Sequence, residues 1–250
     1  GYTGKGVTIA LIDTPVDLSD PELAGANIVD KSRCTLEPSQ TSSPHGNSMA
    51  AILVSQQYGV APDATLYTYQ TATDGAASSG SCKQGTQELD TIANLINQAI
   101  DDGAQIISIS LSNNERSSEI KWAITRAINE GVIIVSSSGN EAIYDDFSHL
   151  GRWSGVVGVT AINTDGTFAS YSSWGNGVVT AAVGGPVTIR DANTGELTTT
   201  SGTSNATALV SGMLALARQK WPEATTNQIL QSLVHSGLNP NHEWNQYTGY

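Results

Sequence analysis

Asp13, His45 and Ser204 are the side chains whose types can together carry out nucleophilic catalysis. A serine hydroxyl is a weak nucleophile and needs a neighbouring base. The chain offers four histidines, His45, His149, His235 and His242. His242 lies in a polar C-terminal stretch. His235 closes a helical pattern, where a cation complements the dipole. His149 lies in a loop after Asn140, from which it can line a cleft. His45 is followed by Gly46 and opens a helical stretch. Ser204 lies in Ser201-Gly202-Thr203-Ser204-Asn205-Ala206-Thr207, ahead of an Ala- and Gly-containing helix. Gly202 permits a tight turn. The helix start presents unpaired N–H groups and the positive dipole end, which suit an oxyanion formed in acyl transfer. Asp13 ends an apolar run, so its carboxylate is expected to be partly buried and to need a donor such as an imidazole N–H. Each has an ordinary alternative: a helix cap for Thr203 or Ser204, an exposed helix-start residue for His45, a turn cap for Asp13. The order Asp, His, Ser is nevertheless one known for this triad.

The elements that must position these residues alternate. Val7–Ile12 (VTIALI) reads as a strand buried on both faces, with Asp13 directly after it. His45–Gln57 reads as a helix, Thr65–Tyr69 as a strand and 71–85 as a loop rich in Gly, Ser, Ala and Thr. Thr86–Asp102 has helical periodicity with Gly103 as its stop. Gln105–Leu111 is a strand, Glu115–Glu130 a helix and Val132–Ser136 a strand. After residue 150 come short strands at Gly155–Ala161, Val178–Ala182, Val187–Ile189 and Leu197–Thr199, then helices at Thr203–Gln219 and Ala224–His235. Strands joined by helix-length crossovers predict an α/β fold with a mostly parallel central sheet between helical layers. In such sheets the site gathers at the carboxyl ends of the strands. Asp13, Ser110–Leu111 and Ser138-Gly139-Asn140 all stand at such ends.

Composition narrows the function classes. The 250 residues are 39% hydrophobic and 14% charged, which suits a globular core. No repeat, linker or charge block marks a second domain, so residues 1–250 are expected to form one. A net charge of −12 argues against nucleic-acid binding, which needs Lys and Arg to neutralise phosphates. No apolar run approaches the roughly 20 residues of a membrane span. The opening residues carry no signal-peptide pattern, and a signal or pro-segment removed upstream is compatible with them. Cys34 and Cys82 form no CxxC pair. They read equally as one disulfide or as two thiols.

Four blocks resemble the subtilisin family of serine proteases in the family's order, from about Gly6 to Tyr250. Ile12-Asp13-Thr14 with Asp17 and Pro21 is similar to its aspartate block, and His45-Gly46 to its histidine block. Gly202-Thr203-Ser204 with Ala206-Thr207 is similar to its serine block. Ser138-Gly139-Asn140-Glu141 is similar to the block that supplies a side-chain oxyanion donor. The resemblance implies a three-layer α/β/α subtilisin-like fold, secretion and peptide or protein substrates. It implies a serine endopeptidase working through an acyl-enzyme, with Asp13, His45, Ser204 and Asn140 as catalytic residues. Ser110-Leu111-Ser112 resembles the edge strand that pairs with extended substrate, opposite Ser138 and Gly139. No cofactor is expected.

Departures accompany the resemblance. Pro15 replaces a glycine, and Asn47-Ser48 follows Gly46 where a second histidine is usual. Ser112 ends the edge strand, and Thr160 stands where a glycine near the first specificity pocket is common. Ser55-Gln56-Gln57-Tyr58 is too short for the family's calcium loop, so that metal site is expected to be absent. Glu22 reads as an exposed acid on a short helix, with cation binding as its alternative. Asp145 and Asp146 read as solvated, with recognition of basic side chains as theirs. These departures motivate one rival, a non-catalytic module that binds peptides or a partner protein. A lipase on another α/β fold is disfavoured, because Ala206 breaks G-x-S-x-G and His45 precedes the serine.

Overall fold

Side chains of a strand alternate in direction, so TIALID must send apolar groups both ways. In a computed structural model, which describes residues 1–33, 45–71, 82–113, 118–191 and 194–250, it does so. The elements in chain order are β1 (Thr8–Asp13), β2 (Ile28–Asp30), α1 (His45–Val54), β3 (Thr65–Gln70), β4 (Lys83–Gln84), β5 (Gln87–Glu88), α2 (Ile92–Asp101), β6 (Ile106–Ile109), α3 (Ser118–Asn129) and β7 (Ile133–Ser137). They continue with β8 (Val157–Asn163), β9 (Val178–Gly185), β10 (Val187–Arg190), β11 (Leu197–Thr200), α4 (Thr203–Lys220) and α5 (Thr226–His235). Ile9 and Leu11 of β1 enter one core with Met49, Leu53, Val210 and Leu214 of α1 and α4. Ala10 and Ile12 enter a second core with Leu95 and Ile96 of α2 and Ile120 and Ile124 of α3. The sheet is thus the middle of three layers.

The main sheet has seven strands in the order β2-β3-β1-β6-β7-β8-β9, each neighbouring pair parallel. The chain leaves β1 for β3 on one side and returns to β6 on the other. The crevice between the carboxyl ends of β1 and β6 is therefore the topological switch point, where ligands bind in such sheets. Asp13 closes β1 and Ser110 follows β6. Helix α4 packs under this crevice with Thr203, Ala206 and Thr207 buried.

Several boundaries differ from the sequence expectations. Helix α1 stops at Val54, because the chain turns back and Val60 N–H and Ala61 N–H bond to Ile52 and Leu53 carbonyls. Helix α2 starts at Ile92 rather than near Thr86. Thr91 caps it by accepting from Asn94 N–H, while β4 and β5 pair just upstream. The three-residue β2 was too short to show a pattern. Most of the 71–85 loop, and Cys34, lie outside the described residues. Cys82 is buried and disulfide-bonded. Among the described residues no helix is long and apolar enough to cross a membrane.

Candidate active site

At the end of β1, Asp13 is buried at 1% exposure. A carboxylate there needs donors. Its Oδ1 accepts from Thr14 N–H at 2.7 Å and Thr14 Oγ1 at 3.2 Å, and lies 2.7 Å from His45 Nδ1. His45 opens α1, and Gly46 behind it allows the close approach. A Cβ on Gly46 would collide with the Thr14 carbonyl, and Gly46 N–H instead donates to Thr14 Oγ1 at 2.8 Å. Thr14 thus joins strand end to helix start. Asn47 adds a second joint. Its Oδ1 accepts from Asp17 N–H at 2.8 Å, and its Nδ2 donates to Asp17 O at 3.1 Å and Asp20 Oδ2 at 2.7 Å. The turn through Pro15 is held to α1 by these bonds. A role for Asn47 had no signal in the sequence beyond its polar type.

Burial lowers the imidazole pKa of His45, but the charge of Asp13 and its hydrogen bond outweigh that, so the net shift is upward. With Nδ1 at the carboxylate, any base chemistry of this ring falls to Nε2. Ser204 is the second residue of α4, after the N-cap Gly202, which offers no side-chain cap. The first N–H groups of the helix are therefore donors without intrahelical partners. Ser204 Oγ donates to the Ser110 carbonyl at 3.2 Å. That bond uses the proton a base would take, so the hydroxyl must rotate before it can give the proton to an imidazole. Asn140 follows β7. Its Oδ1 accepts from Thr203 N–H at 2.8 Å and Thr203 Oγ1 at 2.9 Å, which leaves Nδ2 as the donor. A cavity of about 330 Å³ is lined by His45, Met49, Asn140, Ile189, Gly202 and Ser204. Six residues from four segments thus face one space.

Ser110 after β6 and Ser138 after β7 are buried, whereas Ser112 is exposed. Asn113 N–H donates to the Ser148 carbonyl. Thr160 lies in β8, fully buried, and its hydroxyl donates to the Tyr247 carbonyl at 2.6 Å. Two expectations need correction. Glu22 is not an exposed acid: its side chain is 8% exposed and its Oε1 accepts from Arg190 Nε at 2.6 Å. The Tyr58 hydroxyl, pushed above its usual pKa by burial, also bonds to Glu22. The guanidinium comes from β10, 168 residues away, which no local pattern could reveal. Asp146 is likewise buried rather than solvated, at 5% exposure. Asp145 accepts from Asn176 N–H at 2.8 Å, so it is engaged with a neighbouring loop.

Comparison with known proteins gives concordant results. A profile described as the subtilase family matches residues 4–250. The chain is 31% identical over 243 residues to the thermostable alkaline protease of Halalkalibacterium halodurans, covering 93% of this chain and 62% of that protein. It is 30% identical over 245 residues to subtilisin E of Bacillus subtilis, covering 93% of this chain and 61% of that protein. The chain therefore spans about three-fifths of the length of these relatives. The solved structure of a cold-adapted subtilisin-like serine proteinase superposes with a TM-score of 0.78 at 23% identity, over 100% of this chain and 88% of that one. That likeness establishes the subtilisin-like fold.

Proposed function

The chain belongs to the subtilase family, and from that membership we propose that residues 1–250 form one catalytic domain of a serine endopeptidase. Ser204 is the nucleophile, His45 the general base and Asp13 the residue that fixes the base. The observation that carries the reading is the 2.7 Å bond between Asp13 Oδ1 and His45 Nδ1, made beside a cavity that Ser204 and Asn140 also line.

The geometry supports these roles. Asp13 holds the tautomer with the proton on Nδ1, so Nε2 carries the lone pair that removes the Ser204 proton. Rotation of Ser204 Oγ away from the Ser110 carbonyl brings it to that nitrogen, and such bonds commonly tighten only when substrate is bound. The oxygen attacks the peptide carbonyl. Asn140 Nδ2 and Ser204 N–H donate to the oxyanion, and losing one such donor costs about 10²–10³ in kcat, a magnitude measured in subtilisin. His45 then passes its proton to the leaving amine, and water hydrolyses the acyl-enzyme by the same route in reverse. Substrate lies extended between Ser110-Leu111-Ser112 and Ser138-Gly139, bonded through its main chain. A disulfide at Cys82 supports an extracytoplasmic location, because such bonds persist in oxidising compartments. The non-catalytic alternative finds no support in the comparisons.

Labelling with a fluorophosphonate probe tests the reading. The native chain should react stoichiometrically and Ser204→Ala not at all. Equal labelling of the two, or none of either, overturns it.

A further inference from the structure

Around Gly139 three metal-ligating side chains converge: Glu141, Asp146 and His149. His149 Nε2 lies 4.0 Å from Glu141 Oε2 and 4.0 Å from Asp146 Oδ2, and the donor atoms all lie within 4.8 Å of one another. A point equidistant from three atoms so spaced is about 2.0–2.5 Å from each, the span of metal–nitrogen and metal–oxygen bonds. Asp146 Oδ2 is inaccessible to solvent, and among the described residues no backbone, hydroxyl or amide donor bonds to it. A buried carboxylate oxygen without a donor is costly. The Glu141 carboxyl beside it adds a second negative group, and the two acids can meet only by sharing a proton or a cation.

Hydrogen bonds to neighbours already hold the three side chains. Asp146 Oδ1 accepts from Ser148 N–H at 2.9 Å and Ser148 Oγ at 2.7 Å. Glu141 Oε2 accepts from Asn140 N–H at 2.8 Å. His149 Nδ1 is 3.1 Å from Ser137 Oγ. Outer partners of this kind orient ligands and set the tautomer. Gly139 completes the cradle. Its φ is +107°, and a Cβ there would collide with Asp146 Oδ2 and stand 2.8 Å from Glu141 Oε2.

We propose that Glu141, Asp146 and His149 form a binding site for a divalent first-row transition-metal ion such as zinc, next to Gly139. The ligand chemistry selects that class. An imidazole nitrogen suits zinc and its neighbours, whereas calcium and magnesium want oxygen alone. Two carboxylates neutralise the ion. Glu141, with its side chain 55% exposed, gives it an entry path and leaves a position for water. The ion ties three points of the 139–149 segment together. The proposal is independent of the peptidase reading, because no ligand belongs to the proposed triad.

The experiment uses untagged, chelator-stripped chain carrying Ser204→Ala, so neither proteolysis nor its absence affects the result. Zinc chloride is titrated by calorimetry and cobalt(II) by visible absorption, against the same chain with Glu141→Gln or with His149→Gln. One zinc should bind, cobalt should give a ligand-field band, and zinc should raise the thermal midpoint. Each variant should lose more than the roughly 10–100-fold typical of outer-shell changes. Glu141 is exposed, so its variant keeps the test valid if His149→Gln fails to fold. No saturable binding by the native cluster, which leaves a proton between the acids, overturns the proposal. So does unchanged affinity in Glu141→Gln, or calcium bound as tightly as zinc.

Discussion

A hydroxyl at a helix start reacts only when its proton has somewhere to go, and in the proposed mechanism the acceptor is an imidazole whose other nitrogen is bonded to Asp13. Ser204→Ala or His45→Ala should each lower kcat by about 10⁶, and the double variant little further, the pattern measured for subtilisin. Additive losses in single-turnover assays would show that the two residues do not act as a unit. The pH profile follows from the same bond. The base works when neutral, and the Asp13 charge holds its pKa above the ordinary 6.5. The acid limb of kcat/KM should therefore lie above that value, with activity lost as pH falls through it. Asp13→Asn removes the charge and should move the limb down while reducing kcat. The sign for stability is opposite. A raised folded-state pKa means the ion pair contributes fully below the unfolded value, and that contribution disappears as pH rises through the folded one. Denaturation midpoints across pH 5–9 in native and His45→Ala chains measure it.

At the scale of elements, the question is what holds the short β10–β11 hairpin over the site. Arg190 of β10 bonds to Glu22 on the short 3₁₀ helix Pro21–Leu23. Breaking a fully buried pair costs about 3–5 kcal/mol, and the 41% exposure of the Arg190 side chain brings Arg190→Gln to about 2 kcal/mol. Urea unfolding of Arg190→Gln, Glu22→Gln and the double variant checks this. The double variant should be less destabilised than the sum of the singles, because neither charge is then left alone. The same pair marks the limit of what the sequence made legible. Strand β1 and helix α4 could be read directly, because a continuous apolar run and a long small-residue helix carry their own periodicity. The proximity of Asp13 to His45, and of His45 and Ser204 to one cavity, was foreshadowed by their order and settings. Glu22, Asp146, Asn47 and Thr14 were misread or passed over, since their environments depend on residues brought in by the turns. The start of α2 failed for a local reason, the cap at Thr91 outweighing the periodicity through Leu89.

The whole molecule adds a field to these local terms. A net charge of −12 is spread over a surface whose cavity also carries an acid: Asp191 lines it with His45 and Ser204. Clefts of one sign raise the local concentration of oppositely charged substrates and speed their encounter, by roughly 10–10³-fold at low salt. Cationic peptides should therefore show the higher kcat/KM in dilute buffer. Raising ionic strength from about 10 to 200 mM shortens the Debye length from about 30 to 7 Å, which leaves contacts at the scissile bond intact but screens this approach. The kcat/KM of a Lys-rich peptide should then fall several-fold, that of a neutral peptide should hold, and that of a Glu-rich peptide should rise. Pairing each peptide with the same residues at the scissile bond separates steering from pocket fit. Three parallel salt curves would mean that the net charge serves solubility and that selectivity resides in the groove between Ser110–Ser112 and Ser138–Gly139 alone.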